Sequence, residues 1–259
     1  MLKRIDGLAV SLFGGSLLYV RTFVGRLLSV GPIPKHIAFI MDGNRRYAKK
    51  RSMAKSKGYE AGFLAVMALI KYCFELSIEY MTIYAFSIDN FRRKPEEVQY
   101  LMDLILEKIE GLLDHKSIVN QYGVRVHFIG NLKLLSEPVR LAAEEVMEAT
   151  SNNTKCTLLV CLAYSSTDEI VHAVQESCQE KWNEIQEVNA NKAQDIEITR
   201  EILESNDVIN LVDIERHMYM VLAPDPDILI RTSGETRLSN FLLWQTYKLC
   251  AVFTKGIVS

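Results

Sequence analysis

Residues 227–245 read Asp-Ile-Leu-Ile-Arg-Thr-Ser-Gly-Glu-Thr-Arg-Leu-Ser-Asn-Phe-Leu-Leu-Trp-Gln, an apolar run that passes into a turn carrying Arg231, Thr232, Ser233, Arg237 and Ser239. A short apolar run bounded by turn residues predicts a buried strand over 227–230. The turn behind it is rich in donors. Two planar guanidinium forks, three hydroxyls and free backbone N–H groups match the many acceptor oxygens of a diphosphate.

The same pattern recurs upstream. Residues 36–41 read as a buried strand running into the turn Asp42-Gly43-Asn44, and 78–86 as a second strand, with 124–129, 157–163 and 249–253 completing a set of about six. Helical periodicity separates them. Phe63, Val66, Met67, Ile70, Cys73 and Phe74 recur at helical spacing within 58–76, and a long helix opening at Pro95 keeps the period through Val98, Leu101, Met102, Ile105, Ile109 and Leu112. Further helices are predicted over 134–150, 167–185, with an N-cap and acidic first turn, and 210–222. This alternation implies an α/β fold: a single, mainly parallel sheet of about six strands flanked by helices, with ligands beyond the carboxyl ends of the strands. The polar span 187–207 reads as a surface excursion.

Two more strand ends carry polar clusters, Asp42-Gly43-Asn44-Arg45-Arg46 and Ser87-Ile88-Asp89-Asn90-Phe91-Arg92-Arg93. Gly43 lets the backbone approach an anion, and a helix beginning near Asn44 would add N–H groups. Asp42 among arginines makes sense if it holds Mg²⁺, which takes one or two carboxylates together with substrate phosphates. An Arg-Arg pair alone is a common solvated surface and DGN a common turn; three clusters on one rim point to an enzyme handling phosphate or diphosphate esters with a divalent metal. The GxxxxGK[ST] and GxGxxG signatures of nucleotide binders are absent.

With 259 residues, 49% hydrophobic, the chain can bury one large core without disulfides or metal. A formal net charge of −2 gives no global field for polyanions, so no nucleic-acid partner is expected and an anionic ligand must meet grouped cations. Cys73, Cys156, Cys161, Cys178 and Cys250 show no CxxC spacing and read as small buried hydrophobes in a reducing compartment. In residues 1–30, Lys3 and Arg4 precede an apolar run over 7–20 that is followed by Arg21 and Arg26. It is shorter than the roughly twenty residues of a spanning helix, so it reads as a membrane-associating segment lying in the interface, with a secretory signal or a protein-docking helix as alternatives.

At the three clusters a resemblance becomes specific. Residues 36–46, 84–93 and 231–240 resemble the signature regions of the cis-prenyltransferases, the undecaprenyl and dehydrodolichyl diphosphate synthase family, in the expected order; Asp89-Asn90-Phe91-Arg92-Arg93-Lys94-Pro95 is similar to plant members, the rubber type included. The resemblance implies a transferase that condenses isopentenyl diphosphate onto an allylic diphosphate such as farnesyl diphosphate, each new double bond being cis, to give long-chain polyprenyl diphosphate for dolichol or related polyisoprenoids. By the family pattern Asp42 positions Mg²⁺; Gly43, Asn44, Arg45, Arg46 and Arg93 bind the allylic diphosphate; Arg231, Arg237 and Ser239 hold isopentenyl diphosphate; and Ser87 and Asn90 lie at the proton-removal machinery. The growing chain needs a dry channel, for which Ala85, Phe86, Met102, Ile105 and Ile109 are candidates, ordinary core being the competing reading.

The chain also departs from the family. Gly58-Tyr59-Glu60-Ala61-Gly62 carries a tyrosine where many members have histidine, and Lys55, which the resemblance makes a substrate-binding cation, stands where arginine is common. A Leu-Trp-Pro-Glu type segment, a closing helix and an Arg-x-Gly tail would follow Phe253 in the family, so 31–259 reads as a catalytic domain shortened at its C-terminal end. The implied assembly is a homodimer, or a heteromer with a cis-prenyltransferase-like partner that supplies the missing tail; a noncatalytic subunit pairing with a full-length relative is the alternative. With residues 1–30 as anchor, the expected location is the cytosolic face of the endoplasmic reticulum membrane, with the cytosol as alternative.

Overall fold

All five residues of His36–Ile40 (β1) are buried, as expected of a strand covered on both faces. The computed structural model describes residues 33–114, 117–191, 209–246 and 250–253. The expectations for residues 1–30, for most of the polar span 187–207 and for the tail after Phe253 concern residues outside that set.

After β1 come helices Asn44–Lys50 (α1) and Lys55–Glu75 (α2), strand Tyr80–Ser87 (β2), helices Pro95–Glu110 (α3) and Ile118–Tyr122 (α4), and strand Val124–Ile129 (β3). Helix Glu137–Ala149 (α5), strand Cys156–Tyr164 (β4), helices Ser166–Asn191 (α6) and Leu211–Arg216 (α7), and strands Ile228–Arg231 (β5) and Cys250–Phe253 (β6) follow. The six strands form one sheet in the order β3-β4-β2-β1-β5-β6, and every pairing is parallel. β1 is flanked by β2 and β5, so the three strands that carry the polar clusters are adjacent, and their carboxyl ends share a rim. Chain direction across the sheet reverses between β1 and β5, where open parallel sheets place their ligands.

Alternation along the strands builds two cores. Ile37, Phe39, Met81, Ile83 and Leu158 pack with Ile70 of α2, Leu101 and Ile109 of α3, and Val139 and Val146 of α5. Ala38, Ile40, Leu159, Cys161 and Leu229 face the other way, against Met220, Phe241 and Leu242. Cys73, Cys156 and Cys161 are buried as expected, whereas Cys178 is exposed.

One predicted element divides. The helix expected over 210–222 ends at Arg216 and resumes as a single 3₁₀ turn, Tyr219–Leu222. Asn210 opens α7 as a capping box, but Met218 is extended and the Met220 N–H donates to the buried Glu169 carboxylate at 2.9 Å, which diverts the backbone from helical pairing.

Candidate active site

β1 delivers Asp42 to the rim and β5 delivers Arg231, Ile40 and Arg231 being in register. Thr232 and Ser233 lock the two strand ends together: the Asp42 N–H donates to Thr232 Oγ1 at 3.0 Å, and the Thr232 and Ser233 hydroxyls donate to the Asp42 carbonyl at 2.8 and 2.7 Å. The close approach explains Gly43. Its φ is +96°, and a Cβ there would lie 1.9 Å from Ser233 Oγ. Gly58 and Gly62, on one face of α2, play a packing part, since a Cβ on either would collide with Asn44 at 2.3 and 2.4 Å.

Arg231 is 5% exposed. Its Nη2 donates to Asp42 Oδ2 at 2.8 Å and its Nη1 to Ser239 Oγ at 2.7 Å and to the Arg237 carbonyl, while its buried Nε has no partner. An unsatisfied buried donor on a guanidinium is costly unless an anion meets it. Arg46 reaches Asp42 at 3.3 Å and Glu235 at 3.4 Å, and Arg237 pairs with Glu235 at 3.0 Å. Burial pushes the Asp42 carboxyl up, but the Arg231 and Gly43 hydrogen bonds and the charges of Arg231 and Arg46 outweigh it and hold the group below the ordinary carboxylate value.

β2 ends in Ser87, which caps a 3₁₀ turn over Ile88–Arg92: the Asp89 N–H donates to Ser87 Oγ, and Asn90 Oδ1 accepts from the Ser87 N–H at 3.2 Å. Arg93 follows and meets a residue that the motif reading overlooked. Glu97, in the first turn of α3, accepts from Arg93 at 3.0 Å and from the Tyr59 hydroxyl at 3.1 Å, with Arg45 at 3.8 Å and Lys55 at 3.9 Å. Burial pushes the Glu97 carboxyl up; Tyr59, Arg93 and Arg45 reverse that and bring it below its usual value. Its i,i+4 spacing from Arg93 was the signal available in the sequence.

A cavity of about 670 Å³ runs inward from this rim. Asp42, Asn44, Arg45, Ser87, Asn90, Arg93, Arg231, Arg237 and Ser239 line its polar end, whereas Gly43, Arg46 and the 71% exposed Lys55 stand outside the lining. Ala85, Phe86, Ile105 and Ile109 line the apolar part as expected; Met102 does not, being packed in the core. Phe63 of α2 and Lys108 of α3 also line it, the Lys108 ammonium lying 5.2 Å from the ring centroid.

The loop bearing Ser239 is strained and braced. Ser239, Asn240 and Leu242 have φ of 51°, 58° and 48°, a conformation that non-glycine residues adopt at a cost. Asn240 Oδ1 accepts from the Thr167 N–H at 3.1 Å at the start of α6, Phe241 stacks on Tyr84 at 4.4 Å, and the fully buried Glu169 accepts from Gln245 at 3.2 Å and from the Tyr164 hydroxyl at 2.6 Å. Glu169 lacks any motif that would single it out. The arrangement can hold two anionic groups side by side at the rim and a hydrocarbon chain behind them. Among the described residues no three His, Cys, Asp or Glu side chains form a ready cage for a metal.

A family model described as "Putative undecaprenyl diphosphate synthase" matches residues 40–257. The chain is 56% identical over 231 residues to dehydrodolichyl diphosphate synthase CPT3 of Solanum lycopersicum, covering 88% of this chain and 80% of that protein. It is 40% identical to the dehydrodolichyl diphosphate synthase complex subunit DHDDS of Homo sapiens, over 92% of this chain and 66% of the human one. Among solved structures, lavandulyl diphosphate synthase from Lavandula x intermedia, in complex with dimethylallyl diphosphate, superposes with a TM-score of 0.71 at 27% identity, covering 87% of this chain and 88% of that one.

Proposed function

The chain belongs to the undecaprenyl diphosphate synthase family, the cis-prenyltransferases, and from that premise we propose that it joins isopentenyl diphosphate to an allylic diphosphate, farnesyl diphosphate, building long-chain polyprenyl diphosphate for dolichol or a related polyisoprenoid. The observation that carries the substrate class is the coincidence, in one cavity, of a rim lined by Arg45, Arg93, Arg231 and Arg237 with a wall of apolar side chains. Each half suits one end of a prenyl diphosphate.

In each turnover a C–O bond to diphosphate breaks, a C–C bond forms and a proton leaves. Arg45 and Arg93, with Asn44 at the rim, bind the allylic diphosphate, and Arg231, Arg237 and Ser239 bind isopentenyl diphosphate beside it. Holding both in one site turns a bimolecular encounter into an oriented one. Negative charge grows on the departing diphosphate, so donors fixed at the rim stabilise the transition state more than the ground state. Ser87 and Asn90 lie on the same cavity, where the proton must be lost. The Asp42 carboxylate on the cavity rim, part of no three-ligand cage among the described residues, fits Mg²⁺, a cation that shares its shell between one or two carboxylates and substrate phosphates. When bound, the metal neutralises charge on the leaving diphosphate.

The assembly we infer is a homodimer or a pairing with a second cis-prenyltransferase-like chain, a reading supported by the human relative being named a complex subunit. The location we infer is the cytosolic face of the endoplasmic reticulum membrane. Purified chain, alone and with a candidate partner, incubated with farnesyl diphosphate, labelled isopentenyl diphosphate and Mg²⁺, is expected to yield labelled long-chain product. Absence of product in both arms would leave the noncatalytic-subunit reading, which co-purification with a relative would test.

A further inference from the structure

We propose that the helical hairpin α1–α2 is a docking surface for an anionic phospholipid bilayer. Residues 45–57 read Arg-Arg-Tyr-Ala-Lys-Lys-Arg-Ser-Met-Ala-Lys-Ser-Lys, with seven cations and no acid in a chain whose net charge is −2. Substrate binding explains only part of this charge. Arg45 lines the cavity, Arg46 is tied to Asp42 and Glu235, Lys55 reaches toward Glu97, and Lys57 pairs with Glu60 at 2.8 Å. Lys49, Lys50 and Arg51 remain: all three are exposed, none lines the cavity and none makes an ion pair among the described residues, Arg51 lying over the Tyr47 ring at 4.9 Å. Like charges crowded on one turn repel each other, and a polyanionic surface relieves that repulsion.

Neighbouring apolar groups select a bilayer among polyanions. Met53, in the turn that joins the helices, is 38% exposed, and Leu64, 67% exposed, stands seven residues after Lys57 on the same outer stripe of α2. Basic side chains beside exposed apolar tips are the composition of an interfacial contact. A nucleic-acid surface would instead interleave exposed aromatic rings for stacking, and Tyr47, the one aromatic residue of the segment, is half-buried beneath Arg51. The inner face of the same helix, through Phe63, Val66 and Ile70, walls the hydrocarbon cavity, so docking here would bring the apolar channel next to lipid. That last advantage rests on the prenyltransferase reading; the charge argument does not. The surface is built from described residues of α1, α2 and the turn between them.

Each basic residue near an anionic leaflet is worth about 1 kcal/mol, or roughly fivefold in affinity, so three together are worth on the order of a hundredfold at low salt. The full chain, pelleted with vesicles of mixed phosphatidylserine and phosphatidylcholine, is expected to bind about a hundredfold more tightly than its K49Q/K50Q/R51Q variant. The charge-conserving K49R/K50R/R51K variant is expected to bind as the parent does, which separates loss of charge from loss of fold. Turnover in detergent is expected to be unchanged in both. Equal pelleting of the parent and the glutamine variant would overturn the proposal, as would tighter binding of the parent to duplex RNA than to the mixed vesicles. Pelleting needs no catalysis, so failure here is distinguishable from failure of the proposed reaction.

Discussion

Arg231 Nη2 lies 2.8 Å from the Asp42 carboxylate, joining residues 189 positions apart across the boundary between β5 and β1. The same guanidinium holds Ser239 and the Arg237 carbonyl, so one side chain sets the shape of the rim on both sides. Lysine at 231 would keep the charge and lose the fork. With charge-assisted hydrogen bonds worth about 1.5–3 kcal/mol each, Arg231→Lys is expected to reduce kcat/KM for isopentenyl diphosphate by about tenfold to a hundredfold. Steady-state kinetics with each substrate varied would check this; an unchanged value would remove Arg231 from the clamp.

Gly43 should tolerate no side chain. Gly43→Ala would set a methyl 1.9 Å from Ser233 Oγ at a φ of +96°. The expected cost is about 2–4 kcal/mol of unfolding free energy, from strain and displacement of the strand ends. Ser233→Gly removes the clash but not the dihedral strain, so the double variant should recover part of the loss; a denaturant-unfolding cycle would measure the coupling.

Tyr59 stands between Arg93 and Glu97, accepting from the first at 3.3 Å and donating to the second. Burial pushes its phenol up, so it is neutral at physiological pH. Tyr59→Phe is expected to raise KM for the allylic diphosphate by about threefold to tenfold with little change in kcat, the loss of one ordinary hydrogen bond. Tyr59→His should bring a new cation as pH falls below about 6.5, lowering that KM on the acid side only. A flat KM–pH profile for this variant would mean that the position does not face substrate.

Glu169 is buried, and burial raises its carboxyl above the ordinary value, against the hydrogen bonds from Tyr164, Gln245 and the Met220 N–H. Glu169→Ala would orphan all three donors, at an expected cost of about 3–5 kcal/mol. Glu169→Gln keeps an acceptor and should cost far less. Because the raised value favours the protonated carboxyl in the folded protein, the glutamine variant should gain relative to the parent as pH rises through that value. Chemical denaturation at several pH values would show it.

His36 is fully buried and neutral, its Nδ1 donating to the Pro224 carbonyl at 2.6 Å and its Nε2 lying 2.7 Å from Thr82 Oγ1. Burial lowers its value below 6.5, against the Pro224 hydrogen bond and the Asp227 charge. A lowered value means that the unfolded chain takes up the proton first. The associated stability is therefore full above pH 6.5 and is lost as pH falls through the folded value. Asp42 and Glu97, also lowered, add the same sign at more acid pH. Unfolding free energy should thus fall on acidification first through the histidines and then through Asp42 and Glu97, the raised Glu169 acting with the opposite sign; because burial and the Arg125 charge also lower His127, His36→Gln should shrink the first stage rather than remove it.

The order of strands and helices was legible because each rests on local pattern. The apolar run at His36–Ile40 and the helical period from Pro95 report what each segment buries, whatever surrounds it. Strand-end clusters were legible for the same reason, since a parallel α/β sheet brings its carboxyl ends together. The helix expected over 210–222 failed where a distant carboxylate, Glu169, took the Met220 N–H.

By itself, then, the sequence determined the α/β class, the rim and most of the residues that line it. Only the tertiary structure decided which charges answer one another: that Arg231 faces Asp42, that Glu97 gathers Tyr59 and Arg93, and that Ser239 to Leu242 bend into a strained loop held by α6. Periodicity and turn chemistry act within a few residues and leave a trace in order along the chain. Ion pairs and hydrogen bonds join positions as much as 192 apart, and their strength depends on distance, burial and neighbouring dipoles that exist only after the sheet is assembled.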